Sequence, residues 1–193
     1  LPIYFLTAPG FTWQACLKYT GIELELLTDP DMVLMFEKGI RGGIVQAIRR
    51  FAEANNKYMG DKYNPTKKSS YLQYLDANNL YGWAMSQYMP TRGFKWVDID
   101  YKKEKYISNP KVLAKYVSKK ANEKNKGYLF EVDVDYPKEL HDKHNDLPFL
   151  AEKMPVGKVD KLVPNLGDKE KYVAHVKTLD QALKHGLILK KIH

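Results

Sequence analysis

Cysteine is almost missing from this chain, with Cys16 the one thiol in 193 residues. A lone cysteine excludes an intrachain disulfide framework and suits a reducing compartment. Long hydrophobic runs are missing too: nowhere do eighteen apolar residues follow one another, and the opening residues 1–10 carry neither a Met nor a basic stretch. A transmembrane helix and a secretory signal are therefore not expected, and the chain reads as soluble. There are no internal repeats and no low-complexity tracts, which sets solenoids and disordered tails aside. Acidic residues are in deficit, 23 against 31 Lys and Arg, leaving a net charge of +8 and a pI near 9.3. That balance favours polyanionic partners such as nucleic acid.

What is present suffices for a core. Hydrophobic residues make up 44% of the sequence, enough for one domain or parts of two. Leu1 falls inside an apolar, strand-like opening, and residues 187–193 are strand-like with no terminal cap, so an excised piece of a longer chain is expected.

Along the chain, Phe11 with Ala15, and Trp13 with Leu17, stand at spacing four, which predicts a core helix over residues 11–19 ended by Gly21. Thr28, Asp29, Pro30 and Asp31 supply turn or cap chemistry before the apolar residues 32–36, and residues 39–43 form a glycine-rich joint. Ile44, Ala47, Ile48, Phe51 and Ala52 keep helical spacing, predicting an amphipathic helix. Residues 57–70 are polar, and residues 71–76 read as a buried strand ending in the carboxylate of Asp76. Leu80, Tyr81, Ala84, Met85, Tyr88 and Met89 then repeat with helical period until Pro90.

Residues 98–126 hold nine Lys against four acidic residues, a net of +5, and are expected to be a solvated excursion. Residues 128–136 alternate, with Tyr128, Phe130, Val132 and Val134 on one face and Glu131, Asp133 and Asp135 on the other, as a half-exposed strand would. Residues 172–176 are strand-like. Thr178 and Gln181 match a capping box before the stripe Leu179, Ala182, Leu183; Gly186 stops that helix, and residues 187–192 resume a strand.

The order strand, Asp, helix around Asp76 can carry chemistry. Nucleotidyl transfer uses two divalent metals roughly 4 Å apart, clamped by carboxylates on rigid elements. A carboxylate at a strand end projects into a cleft, and the first turn of the following helix has backbone N–H groups suited to phosphate oxygens. Tyr81, five residues on, could pack under a sugar and crowd its 2′ position. From the residues alone a plainer reading stands beside this one, with Asp76 a helix N-cap and Tyr81 a core residue of the stripe.

The segment Tyr74-Leu75-Asp76-Ala77-Asn78-Asn79-Leu80-Tyr81 resembles motif A of family B DNA polymerases, Asp-x-x-Ser-Leu-Tyr-Pro, in which the Asp binds metal and the Tyr is a steric gate. Asn79 stands where Ser is usual and Gly82 where Pro is usual. Ile40-Arg41-Gly42-Gly43 resembles the Tyr-x-Gly-Gly element that joins exonuclease and polymerase domains in protein-primed members, with Ile40 in place of Tyr. Residues 7–13 (TAPGFTW), 54–59 (ANNKYM), 127–133 (GYLFEVD) and 162–166 (LVPNL) are similar to the polymerases of Polinton-like mobile elements and related viruses.

The resemblance implies an α+β fragment of a polymerase palm, with an antiparallel sheet and helices. On that reading residues 1–38 are the tail of an exonuclease domain, 39–44 the joint, 45–97 palm with motif A, 98–170 an inserted subdomain like the first terminal-protein region, and 171–193 palm again. It also implies Asp76 as catalytic metal ligand, with Ala77 lending its carbonyl to the metal. Asn78, Asn79, Leu80 and Tyr81 would join Ala77 around the nucleotide, and Arg41, Gly42 and Gly43 would touch DNA. The implied cofactor is Mg²⁺ in a two-metal site whose second carboxylate lies outside this chain. Implied partners are template and primer DNA, deoxynucleoside triphosphates and a terminal priming protein, in a nuclear or viral-replication setting. The alternative is a DNA-binding or protein-docking remnant that kept the scaffold without chemistry.

Two segments invite further assignments. Val132-Asp133-Val134-Asp135 imitates the Asp-Thr-Asp of motif C, but no motif B precedes it, so these carboxylates are expected on the exposed face of a strand. Residues 141–146 (HDKHND) gather possible metal ligands without a cysteine and read as a solvated loop. The lysine-rich residues 102–126 read either as a solvated helix face or as an arm for DNA or a priming protein.

Overall fold

The computed structural model describes residues 2–97 and 109–193. It is a mixed α+β chain with antiparallel sheets, divided into two compact units: Leu1–Gly42 with Met89–His193, and Gly43–Tyr88.

The first unit is built on strand β1, Leu129–Asp135, whose burial alternates strictly along its length. Phe130, Val132 and Val134 point into the core, while Glu131, Asp133 and Asp135 stay half-exposed, as the period-two pattern predicts. β1 is the centre of a three-stranded sheet, flanked by β4, Lys169–His175, and β5, Ile188–Ile192, both antiparallel to it. β4 and β5 are joined by helix α6, Val176–Lys184, so the crossover spans the central strand. Helix α4, Pro110–Ala121, packs on α6 and β5. Leu113 and Val117 of α4, Val176, Leu179 and Ala182 of α6, and Leu187, Leu189 and Ile192 join the buried cluster.

Gly186 ends α6 at φ +105°, a backbone angle that only glycine adopts freely. The helix starts one turn earlier than the capping-box pattern predicts: its N-cap is His175, whose Nδ1 accepts from the Lys177 N–H at 3.3 Å. A two-stranded hairpin, β2 (Glu152–Val156) and β3 (Val159–Val163), turns at Gly157 and was not foreseen in the sequence. Lys169, fully buried, ties it to β4 through a 2.8 Å ion pair with Glu152 and a 2.5 Å hydrogen bond to Asn165 Oδ1.

Residues 110–121 correct the expectation of a solvated excursion. They fold as α4 because Leu113 and Val117, four apart, dock on the core and leave the lysines outward. The remainder of that lysine-rich run, residues 98–108, lies outside the described residues. Of residues 141–146, four stay exposed as a solvated loop would, but His144 does not. Helix α5, His141–His144, buries His144, whose Nδ1 lies 2.9 Å from Tyr136 Oη, while Tyr136 Oη also accepts from the Phe149 N–H. His144 Nε2 is buried without a partner among the described residues, and desolvation pushes the imidazole below its ordinary pKa.

Helices α1, Ala8–Thr20, and α2, Pro30–Gly39, belong to the same unit. α1 ends at Gly21 with φ +65°, where the sequence places its stop, yet it contains no buried residue, so the expected core helix is a surface helix. Asp29 caps α2 and accepts from Trp96 Nε1 at 2.7 Å.

The second unit departs further from expectation. Residues 44–52 are not helical, and Val45 and Phe51 are almost wholly exposed. Helical spacing stabilises a helix only when its stripe has a surface to cover. Residues 71–76 are exposed, have no regular secondary structure and pair with no strand among the described residues; the ladder of this unit is a single bridge, Asn55 with Ser70.

Candidate functional site

Residues 74–81 lie in the second unit, and side-chain hydrogen bonds define their shape. Upstream, Asn55 closes the polar loop: its Nδ2 donates to Asn64 O at 3.0 Å, its Oδ1 accepts from Asn64 N–H at 2.9 Å, and its backbone exchanges bonds with Ser70. Asn56, the one buried residue of this unit, donates from Nδ2 to Ser70 O and accepts from Tyr58 N–H. These two asparagines deliver the chain to residue 71. Their sequence signal was only the turn-forming habit of Asn, which does not reveal a partner fifteen residues away.

Asp76 is exposed and makes no hydrogen bond or ion pair among the described residues. Helix α3, Leu80–Met85, begins four residues later and has Asn79, not Asp76, as its N-cap. The plainer expectation for Asp76 is thereby corrected. The predicted stripe over residues 80–89 also shortens to these six residues, ending at Ser86 rather than at Pro90.

Asn79 adopts φ +50°, a left-handed conformation that Asn tolerates better than Ser. Its Oδ1 accepts from the Gly82 N–H at 3.2 Å, and its carbonyl accepts from the Trp83 N–H at 3.0 Å. One of the first-turn amides expected to face phosphate, that of Gly82, is thus already occupied.

The same geometry links the two departures from the motif A pattern. Proline at position 82 would have no N–H to give Asn79. A Cβ built at Gly82 would fall 2.6 Å from Asn79 Oδ1 and 2.7 Å from its Cγ. Asn79 and Gly82 therefore act as one change. Tyr81 projects into solvent, 82% exposed, and Leu80, Ala77 and Asn78 are exposed as well.

The joint element divides at Gly42. Arg41 belongs to the first unit, where its guanidinium lies 3.9 Å from the centre of the Tyr172 ring and Nη1 donates to Val173 O at 2.5 Å and Gly39 O at 3.3 Å. Charge-assisted bonding to a carbonyl and stacking on an aromatic face make it an anchor on β4. Gly42 and Gly43 are exposed, and a Cβ at either would meet nothing within 4 Å.

The carboxylates of the motif C look-alike are held within the sheet. Asp133 accepts from the Lys171 N–H at 2.8 Å and meets His193 Nε2 at 2.9 Å; the Lys171 bond foremost, and then His193, hold its carboxyl below the usual range. Lys171 sits at φ +45° where the β1–β4 register shifts. Asp135 pairs with Lys190 at 3.1 Å and Glu131 with Lys38 at 3.8 Å. All three sit within β1 and not in a hairpin turn.

Among the described residues no three His, Cys, Asp or Glu side chains converge to hold a metal ion. Asp76 with the Ala77 carbonyl is too small a donor set for a two-metal site, so the residues present do not by themselves fit Mg²⁺. No helix among the described residues is long and apolar enough to cross a membrane. Set against protein-family models, curated proteins and solved structures, the chain matches none.

Proposed function

We propose that the chain is the motif A portion of a family B type DNA polymerase, with Asp76 as a metal-binding carboxylate and Tyr81 as the residue that tests the sugar. The observation that carries the reading is the spacing Asp76-Ala77-Asn78-Asn79-Leu80-Tyr81. Asp76 has no partner among the described residues to satisfy it, Tyr81 lies in the first turn of a short helix with its ring exposed, and the two departures at Asn79 and Gly82 form a single coherent cap.

In this reading the antiparallel sheet of the first unit is palm and inserted subdomain, and the complete centre takes further carboxylates from polypeptide beyond these residues. In a centre completed that way Asp76 and the Ala77 carbonyl would be part of the donor set for Mg²⁺, which would supply charge stabilisation. Gly42 and Gly43, unobstructed, lie along a DNA strand, and Arg41 holds their entry to β4. The 193-residue chain alone should not extend a primer with Mg²⁺ present, and extension would contradict the incomplete donor set. In the complete polypeptide, Tyr81→Val should admit ribonucleotides alongside deoxyribonucleotides. A variant that still rejects them removes Tyr81 from the gate.

A further inference from the structure

We propose that Lys111, Lys115 and Lys119 form a docking edge for the phosphate backbone of a nucleic acid. The three are exposed and lie at spacing four along α4, so they make one row on the helix face opposite Leu113 and Val117. Consecutive members rise about 6 Å, and the row spans roughly 12 Å of the axis. At ~3.4 Å of duplex axis per phosphate on each strand, that span meets three to four phosphates.

Three features distinguish this row from an ordinary solvated helix face. α4 contains no Asp or Glu at all. None of the three lysines forms an ion pair with a described residue, whereas Lys120 on the same helix is held by Glu123 at 2.9 Å and by Tyr128 at 3.2 Å. The row is also mounted rigidly, because Leu113 and Val117 are buried against α6 and β5. A flexible arm loses side-chain and backbone entropy on binding; a row fixed to a core loses less. Uncompensated charge of one sign, evenly spaced on a rigid edge, matches a regular polyanion.

The inference goes beyond the motif A reading and does not depend on Asp76. The test is fluorescence anisotropy of the 193-residue chain with a labelled duplex of about 20 base pairs, titrated across KCl concentrations. The triple variant Lys111→Gln/Lys115→Gln/Lys119→Gln keeps good helix formers, so α4 should persist, which circular dichroism checks. Its slope of log affinity against log salt should shrink by about 2.7, and its affinity at low salt should fall roughly tenfold or more.

Arginine at all three positions should restore both. The control triple Lys143→Gln/Lys158→Gln/Lys161→Gln removes the same charge from other exposed sites and should change the slope by less than about 1. An unchanged slope in the first variant overturns the proposal, as does an equal loss in the control. Tighter binding to phosphatidylserine vesicles than to the duplex also overturns it. Asp76→Asn should bind like the unaltered chain, so loss of the polymerase reading and loss of this one are separate results.

Discussion

The two units are ordered by different forces. In the first, apolar side chains at period two on β1 and at spacing four on α4 and α6 meet one another, and Val132, Leu179 and Leu189 are completely buried. In the second, residues 43–88 bury only Asn56, and the loops are tied by asparagine side chains while Tyr74, Tyr81 and Tyr88 face solvent. Apolar periodicity yields an element where a partner surface exists and yields exposed chain where it does not. The candidate catalytic segment belongs to the second kind.

The sharpest way to break this comparison is to truncate matched leucines. Leu179→Ala, at a completely buried position, should destabilise the first unit by about 2–5 kcal/mol, whereas Leu75→Ala should cost under about 0.5 kcal/mol. Urea unfolding followed by circular dichroism reads both, and equal losses would mean that residues 71–76 are buried after all. Next in size is Arg41→Ala, which should cost about 1.5–3 kcal/mol through the lost charged hydrogen bonds and the exposed Tyr172 face. A neutral result would free Arg41 for a different partner.

A pH series sharpens the first unit alone. His144 has its pKa lowered by burial, so the folded state holds fewer protons than the unfolded state once pH approaches the ordinary value near 6.5. The contribution of neutral His144 is complete above that value and should be lost as pH falls through the depressed folded pKa. His144→Phe should flatten the stability profile in that window; a profile that keeps its slope would assign the dependence to another group.

The smallest effect concerns the cap in the second unit. Gly→Ala inside a helix ordinarily gains up to about 1 kcal/mol. At Gly82 the added methyl displaces the Asn79 side chain, whose cap is worth a similar amount, so Gly82→Ala should be near neutral. In the background Asn79→Gly the same substitution should stabilise. Independent, additive effects in that double-mutant cycle would refute the coupling.

Much of the first unit was legible because its signals are local and have local consequences. Val132 and Val134 alternate with Asp133 and Asp135, and Gly21 and Gly186 end helices where the backbone turns left-handed. The hairpin of β2 and β3 escaped notice because Pro155 interrupts its strand pattern and its turn is a bare Gly157-Lys158. His144 and Lys169 were invisible for another reason: they are residue types of the surface, and only the side chains of Tyr136 for the one and of Glu152 and Asn165 for the other make burial tolerable.

Of the candidate site, the residues themselves were readable and their surroundings were not. Asp76 and Tyr81 follow from spacing, but the cap at Asn79 depends on a single left-handed backbone angle, and the fate of Arg41 depends on a strand more than one hundred residues away.

The most direct measurement is primer extension by the complete polypeptide carrying Asp76→Asn, at DNA concentrations that saturate both it and the unaltered polypeptide. The polymerase reading predicts that extension is abolished while the Kd for primer–template DNA changes by less than about twofold, the signature of a group used in the reaction and not in binding. Extension at the unaltered rate would contradict it and leave Asp76 an exposed carboxylate without a catalytic role.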